Sequence, residues 1–321
     1  MTETAASATT LQAQGLTRRY GTQTAVDGID LSLKRGEVLG LLGPNGAGKS
    51  TTMQMLTGNL APSAGSVHIR GIDLIDFPVA AKAHLGYLPE TPPLYRDLNV
   101  TEFIDLVARL HRVPRTQCKA AVNAAVTRCG LAEVRNKLIS ALSKGFQQRV
   151  GIAQAIVHEP DVIILDEPTV GLDPNQIREI RTLIRELGNT HSVILSTHIL
   201  PEVEAICDNV RIMHRGRFVF GGSIAELRAF HGGQTLLVGL NNAPAVAELS
   251  ELLATAGVTH VDVAGDNLYR LRVAEDAAGK DPAARIAALA AERQWGLTQI
   301  APAQASLEDV FVQLTTEENA S

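Results

Sequence analysis

Gly43-Pro44-Asn45-Gly46-Ala47-Gly48-Lys49-Ser50-Thr51 decides how this chain reads. An apolar run, Val38-Leu39-Gly40-Leu41-Leu42, precedes it and has the length and composition of a buried strand. Thr52-Met53-Gln54-Met55-Leu56 follows and reads as the opening of a helix. G-x-x-x-x-G-K-[ST] between a strand and a helix is a phosphate-binding loop. Its glycines let successive backbone N–H groups turn inward around an anion, and the next helix aims its positive end at the same point. Lys49 adds a mobile charge for the β- and γ-phosphates, and the Ser50 hydroxyl is placed to ligate Mg²⁺. The stretch implies a nucleoside triphosphate as ligand.

Outward from that loop, composition narrows the class. The 321 residues suffice for two domains, and 45% apolar with 20% charged residues is ordinary globular chemistry. No apolar run approaches the roughly 18–20 residues that cross a bilayer, and Met1 to Thr10 lack the charge and apolar core of a signal peptide. Three scattered cysteines fit neither a disulfide framework nor a metal site, so a reducing cytosol is expected. The net charge of −5 is uneven: from His231 onward there are 5 Lys and Arg against 12 Asp and Glu. That acidic region argues against wrapping of nucleic acid or docking on anionic lipid through this part of the chain. The nine histidines show no metal-binding spacing.

Along the chain, Leu11 to Tyr20 reads as a first edge strand, and Leu31 to Leu33 and Gly65 to Gly71 as short strands. Tyr20 lies upstream of the phosphate loop, where its ring could stack on an adenine or simply pack at a strand end. Leu85 to Leu88 is an apolar strand ending at Pro89-Glu90. Helical spacing runs over Thr101 to Arg112, Gln117 to Cys129 and Leu142 to Val157, a helical insertion at about residues 91–160. Val162-Ile163-Ile164-Leu165 ends in the carboxylates Asp166 and Glu167, and Ser192 to Thr197 ends at His198. Strands alternating with helices imply an α/β fold with a mainly parallel sheet, whose ligands sit at the strands' carboxyl ends. Lys49, Asp166, Glu167 and His198 all fall there. Beyond residue 230 the order strand, helix, strand, strand, helix, strand (Thr235 to Ala301) predicts a small α+β, ferredoxin-like domain over 231–321. A last helix is expected from Leu307 to Leu314.

A carboxylate at Asp166 can hold Mg²⁺ while the metal bridges phosphate oxygens. Glu167 projects toward where water attacks the γ-phosphate and is the candidate general base. His198 reads as a γ-phosphate sensor that also orients Glu167. Ser143 opens a helix, where it reads either as a simple cap or, with the first N–H groups of that helix, as a second anion site.

Taken together, GPNGAGKST, LSKGFQQRV, VIILDEPTVGLDP and STH resemble the ATPase subunit of an ATP-binding-cassette (ABC) transporter over about Leu11 to Glu226. The resemblance implies a phosphate-loop NTPase domain over 1–230 and a head-to-tail dimer, with each ATP sandwiched between two cassettes. Carried onto this chain, Tyr20 stacks on adenine, and Gly43, Pro44, Asn45, Gly46, Ala47, Gly48, Lys49, Ser50 and Thr51 hold the phosphates. Ser50 and Asp166 hold Mg²⁺, Glu167 polarises water and His198 contacts the γ-phosphate. Ser143 and Gly145 serve the partner's ATP, and Asp173 links the two sites. Two departures stand out: Lys144 and Phe146 replace a Gly and a Gln of the family's Leu-Ser-Gly-Gly-Gln, and Glu90 stands where a Gln usually touches Mg²⁺. The Leu-Ser-Lys-Gly-Phe-Gln-Gln-Arg, Tyr-Leu-Pro-Glu and Ser-Leu-Glu-Asp-Val-Phe segments are similar to a subgroup serving drug, lipid and polysaccharide export, gliding motility and copper-enzyme maturation. There the ATPase is a separate chain at the cytoplasmic face of the cell membrane, beneath transmembrane permease subunits, with which a homodimer is expected. The competing expectation is a cassette ATPase acting on nucleic acid or ribosomes.

Overall fold

In the computed structural model, which describes residues 9–229, 235–274, 281–303 and Phe311, the chain divides into two units, Met1–Ile224 and Ala225–Ser321. The first unit begins with β1 (Thr9–Tyr20), β2 (Gln23–Lys34) and β3 (Val38–Leu42), then α1 (Lys49–Leu56). Next come β4 (Ala64–Ile69), β5 (Ile72–Asp73), α2 (Pro78–Lys82) and β6 (Leu85–Leu88). Three helices follow: α3 (Val100–Leu110), α4 (Arg115–Arg128) and α5 (Lys144–Ile156). The unit closes with β7 (Val162–Asp166), α6 (Pro174–Gly188), β8 (Ser192–Thr197), α7 (Leu200–Ile206), β9 (Asn209–His214) and β10 (Arg217–Ser223). A short helix, α8 (Ile224–Ala229), starts at the division.

Every residue of β3, β7 and β8 is buried, as strands covered on both faces require. They lie inside a six-stranded sheet of order β10-β9-β3-β8-β7-β6, parallel except for β10. Because β8 separates β3 from β7, three neighbouring carboxyl ends present the phosphate loop, His198 and the Asp166-Glu167 pair side by side. β6 adds Glu90 next to β7.

The N-terminal strands correct one expectation. Leu11 to Tyr20 is not an edge: β1 pairs with β2 on one side and β4 on the other, in a separate antiparallel sheet of order β2-β1-β4-β5. Pairs such as Leu11↔Ile69 join positions far apart in the chain, which local patterning does not encode. Between β6 and β7, Asn99 opens α3 with a capping box: its side chain accepts from Glu102 N at 2.9 Å, and Glu102 Oε2 accepts from Asn99 N at 2.9 Å. All three cysteines are free and buried.

The second unit runs β11 (Thr235–Leu240), α9 (Val246–Ala254), β12 (Val258–Gly265), β13 (Leu268–Val273), α10 (Pro282–Glu292), β14 (Leu297–Ala303). Its sheet order is β12-β13-β11-β14 with every pair antiparallel, the ferredoxin-like pattern in which each helix crosses over one intervening strand. Leu236, Val238, Leu249, Leu271, Ile286 and Trp295 form its core. The helix expected from Leu307 to Leu314 lies outside the described residues, Phe311 apart.

Candidate nucleotide site

The phosphate loop leaves β3 and enters α1 through Gly48, whose φ of 109° lies in the left-handed region. A Cβ there would also meet Ala25 O at 2.6 Å, so both conformation and space demand glycine. The Gly216 N–H donates to Ala47 O at 2.9 Å, and Gly216 O accepts from Asp27 N at 2.9 Å, which fastens the loop to the β9–β10 turn and to β2. Lys49 is 7% exposed and donates through Nζ to Gly43 O at 2.7 Å and Pro44 O at 3.2 Å. Its ammonium is 3.9 Å from Glu167 Oε1. Burial lowers the Lys49 pKa, while Glu167, Asp166 and Glu90 pull it back up.

An open cleft of about 550 Å³ lies over this loop, within the range of small-ligand sites. Asn45, Gly46, Gly48, Lys49, Ser50 and Thr51 line it from the loop, and Glu90, Glu167 and His198 from the neighbouring strand ends. Asp166, 4% exposed, sits beneath them at the end of β7. Gly43, Pro44 and Ala47 form the loop behind this lining.

Ser196, fully buried in β8, holds the acidic pair in place. Its Oγ donates to Asp166 Oδ1 at 2.5 Å and accepts from Glu167 N at 2.9 Å. Glu167 has a φ of 47°, a left-handed conformation that costs a non-glycine residue about 1–2 kcal/mol. The Ser196 contact helps to hold that geometry. His198 Nδ1 lies 3.1 and 3.0 Å from Glu167 Oε1 and Oε2, and with the carboxylate ionised the Nδ1–H is the donor. Burial raises the pKa of Asp166, with Glu90 adding to the rise and Ser196 and Lys49 opposing it. Burial likewise raises Glu167, against the His198 hydrogen bond. A carboxylate made more basic, placed over a phosphate loop and held by an imidazole, is equipped to accept a proton.

Other expected residues sit apart from the cleft. Tyr20 is 46% exposed at the end of β1, pairs with Gln23 across the hairpin, and carries the Arg18 guanidinium 4.7 Å from its ring centroid. Gln23, Thr24 and Ala25 line the cleft, but Tyr20 does not. Ser143 is exposed at the N-cap of α5, with a long 3.5 Å contact to Phe146 N. Gly145 is buried, and a Cβ on it would lie 2.6 Å from Gln176 Cδ, so α5 meets α6 closely there. The Lys144 ammonium lies over Gly171, in the turn leading to Asp173, which caps α6 by accepting from Asn175 N and Gln176 N at 2.9 and 3.0 Å.

Sequence reading missed Ser196 and also Arg215, which lines the cleft from the β9–β10 turn. The signal for Ser196 was present: a hydroxyl inside an otherwise apolar strand must find a partner. His84, His111 and His158 sit in structural contacts away from the cleft. His84 pairs with Asp161 at 2.8 Å, and His158 stacks on His111 with burial pushing its pKa down to about 4.

Ser50, Asp166 and Glu90 are hard oxygen donors suited to Mg²⁺. Among the described residues no group of three or more His, Cys, Asp or Glu converges to hold a metal by itself.

A family model described as ABC transporter matches residues 26–170, which span the phosphate loop, Asp166 and Glu167. The daunorubicin resistance ATP-binding protein DrrA3 of Streptomyces coeruleorubidus is 34% identical over 252 residues, 78% of this chain and 80% of its own. The chain belongs to the ABC transporter ATP-binding family. The Nod factor export ATP-binding protein I of Ralstonia nicotianae extends the likeness at 32% identity over 316 residues, 96% of this chain and 94% of its own. A solved ATP-binding subunit of an ABC transporter superposes with a TM-score of 0.63 at 32% identity, covering 69% of this chain and 93% of that one. As a family member the chain is an ATP-binding and ATP-hydrolysing transporter subunit.

Proposed function

We propose that this ATPase powers export through separate transmembrane permease subunits, working as a homodimer at the cytoplasmic face of the cell membrane. The observation that carries the reading is a division of the groups expected to meet ATP. Lys49, Glu167 and His198 share one cleft, whereas Ser143, at an exposed helix start, lies outside it. Such a helix start is suited to a phosphate brought by a second copy. Relatives named for daunorubicin resistance and Nod factor export support export as the direction.

In this reading the nucleotide's phosphates lie along Asn45 to Thr51, and the adenine stacks on Tyr20 beside Gln23. Lys49 exchanges its Gly43 and Pro44 carbonyl contacts for phosphate oxygens and stabilises the charge that develops there. Ser50, Asp166 and Glu90 would hold Mg²⁺, which supplies Lewis-acid neutralisation of phosphate charge. Glu167 takes a proton from the attacking water, with its carboxylate oriented by His198. Ser143 and Gly145 of each copy close on the other copy's ATP, and Asp173 joins the two sites. Hydrolysis reopens the pair, and that cycle drives the permease between its states.

The permease face is assigned to the Glu90 turn and the helical insertion from Thr91 to Leu138. Tyr95 and Leu110 there are 59% and 70% exposed, and Leu110 borders an apolar groove shared with Phe77 and Val79. Among the described residues no helix is long and apolar enough to cross a membrane. Co-expression with a candidate multi-span subunit tests the proposal: the two co-purify, and ATP turnover responds to the membrane subunit. A tight, salt-sensitive RNA or DNA complex without membrane association would favour action on nucleic acid instead.

A further inference from the structure

The most deeply buried carboxylate around this site is outside the cleft. Glu202, on α7, is 0% exposed, against 4% for Asp166 and 8% for Glu167. Its Oε1 accepts from Thr169 Oγ1 at 2.5 Å and its Oε2 from Thr197 Oγ1 at 2.8 Å. Thr169 stands two residues after Glu167, and Thr197 immediately precedes His198. Thr197 Oγ1 in turn accepts from Ile199 N at 3.0 Å, closing the turn that presents His198. Arg181, from α6, brings its guanidinium to 3.8 Å from Glu202 Oε1 and supplies the positive charge a buried carboxylate needs.

We infer that Glu202 is a positioning residue for hydrolysis: by taking one hydroxyl from each side, it sets the Glu167 loop and the His198 turn in register. The inference rests on the proposed roles of Glu167 and His198. A carboxylate fits this task because it is acceptor-only and can receive both threonine protons at once. A glutamine of the same shape cannot. Its Nε2 donates but does not accept, so one of the two threonine O–H groups would lose its acceptor. A buried ion pair that only fastened α6 to α7 would need the arginine contact but not the two threonines. What the two legs govern is the 3.0 Å separation of His198 Nδ1 from Glu167. Catalysis depends steeply on such placements, with a misplacement of about 1 Å costing up to about a hundredfold.

The experiment compares Thr197→Val, which is isosteric, with Thr197→Ser, which keeps the hydroxyl, alongside Glu202→Gln. For each variant kcat, ATP affinity and thermal midpoint are measured. Thr197→Val and Glu202→Gln are expected to lower kcat roughly 10- to 100-fold, with ATP Kd within about threefold and Thr197→Ser near wild type. In a His198→Ala background Glu202→Gln is expected to cost less than about twofold, since the group it aligns is gone. Wild-type kcat in Thr197→Val, no rescue by serine, or an equal Glu202→Gln cost in both backgrounds would overturn the inference. Glu167→Gln, measured beside them, separates the two levels. If it turns over ATP normally, the reading of the base fails and this inference with it. If it is inactive while Thr197→Val is normal, only the positioning role fails.

Discussion

Replacing Ser196 by alanine removes one hydroxyl with two partners. It donates to the Asp166 carboxylate at 2.5 Å, a charge-assisted bond whose net contribution is about 1.5–3 kcal/mol. It also accepts from the Glu167 N–H, and leaving that buried donor unpaired costs about 1–3 kcal/mol more. The sum, about 2.5–6 kcal/mol, is a large part of a domain's usual margin of about 5–15 kcal/mol, and little cavity energy is added because only one oxygen is lost. A water admitted from the cleft would recover some of it, so the lower end is expected. Urea unfolding followed by far-UV circular dichroism gives the shift directly. The same substitution takes away a contact that lowers the Asp166 pKa, so the acid limb of the ATPase pH profile moves to higher pH. A stability change below about 0.5 kcal/mol, the level of an inert surface substitution, with an unmoved acid limb would refute the view that Ser196 pins the pair.

Three further outcomes are expected. Lys49→Ala removes the charge-assisted contact proposed for phosphate and is expected to raise ATP Kd about 10- to 100-fold by fluorescent-nucleotide titration. Gly48→Ala forces a Cβ into a left-handed position with Ala25 O at 2.6 Å, and calorimetry should find it destabilised by at least about 1–3 kcal/mol. Because the folded pKa of Glu167 lies above its unfolded value, its charge opposes folding once the pH exceeds the folded pKa. That opposition disappears as the pH falls below the ordinary glutamate value near 4.3. Glu167→Gln therefore raises the midpoint of the nucleotide-free protein at pH 7–8, and the advantage vanishes at pH 4 in paired thermal scans.

What could be read from the residues alone was whatever is encoded locally. Lys49 and its glycines are contiguous, and β3, β7 and β8 are apolar runs whose ends are marked by Lys49's loop, Asp166 and His198. The C-terminal order of strands and helices could be read for the same reason, since turns such as Asp266-Asn267 separate short periodic segments. The placement of β1 between β2 and β4 was hidden because its partner residues are set by tertiary packing. Ser196 and Glu202 were hidden differently. Each is an ordinary polar residue in sequence, and only the fold brings Ser196 under Asp166 and Glu202 between Thr169 and Thr197. Tyr20 was legible as a ring near the site, but its place beside Gln23, outside the cleft lining, followed from the hairpin.

In the proposed mechanism Glu167 is the group that takes the proton from water above the phosphate loop. Single-turnover hydrolysis of labelled ATP by Glu167→Gln tests it most directly. The expected result is nucleotide retained at near wild-type affinity, with phosphate formation slowed at least about a hundredfold, as loss of a general base implies. Phosphate formed at the wild-type rate from fully bound nucleotide would contradict it.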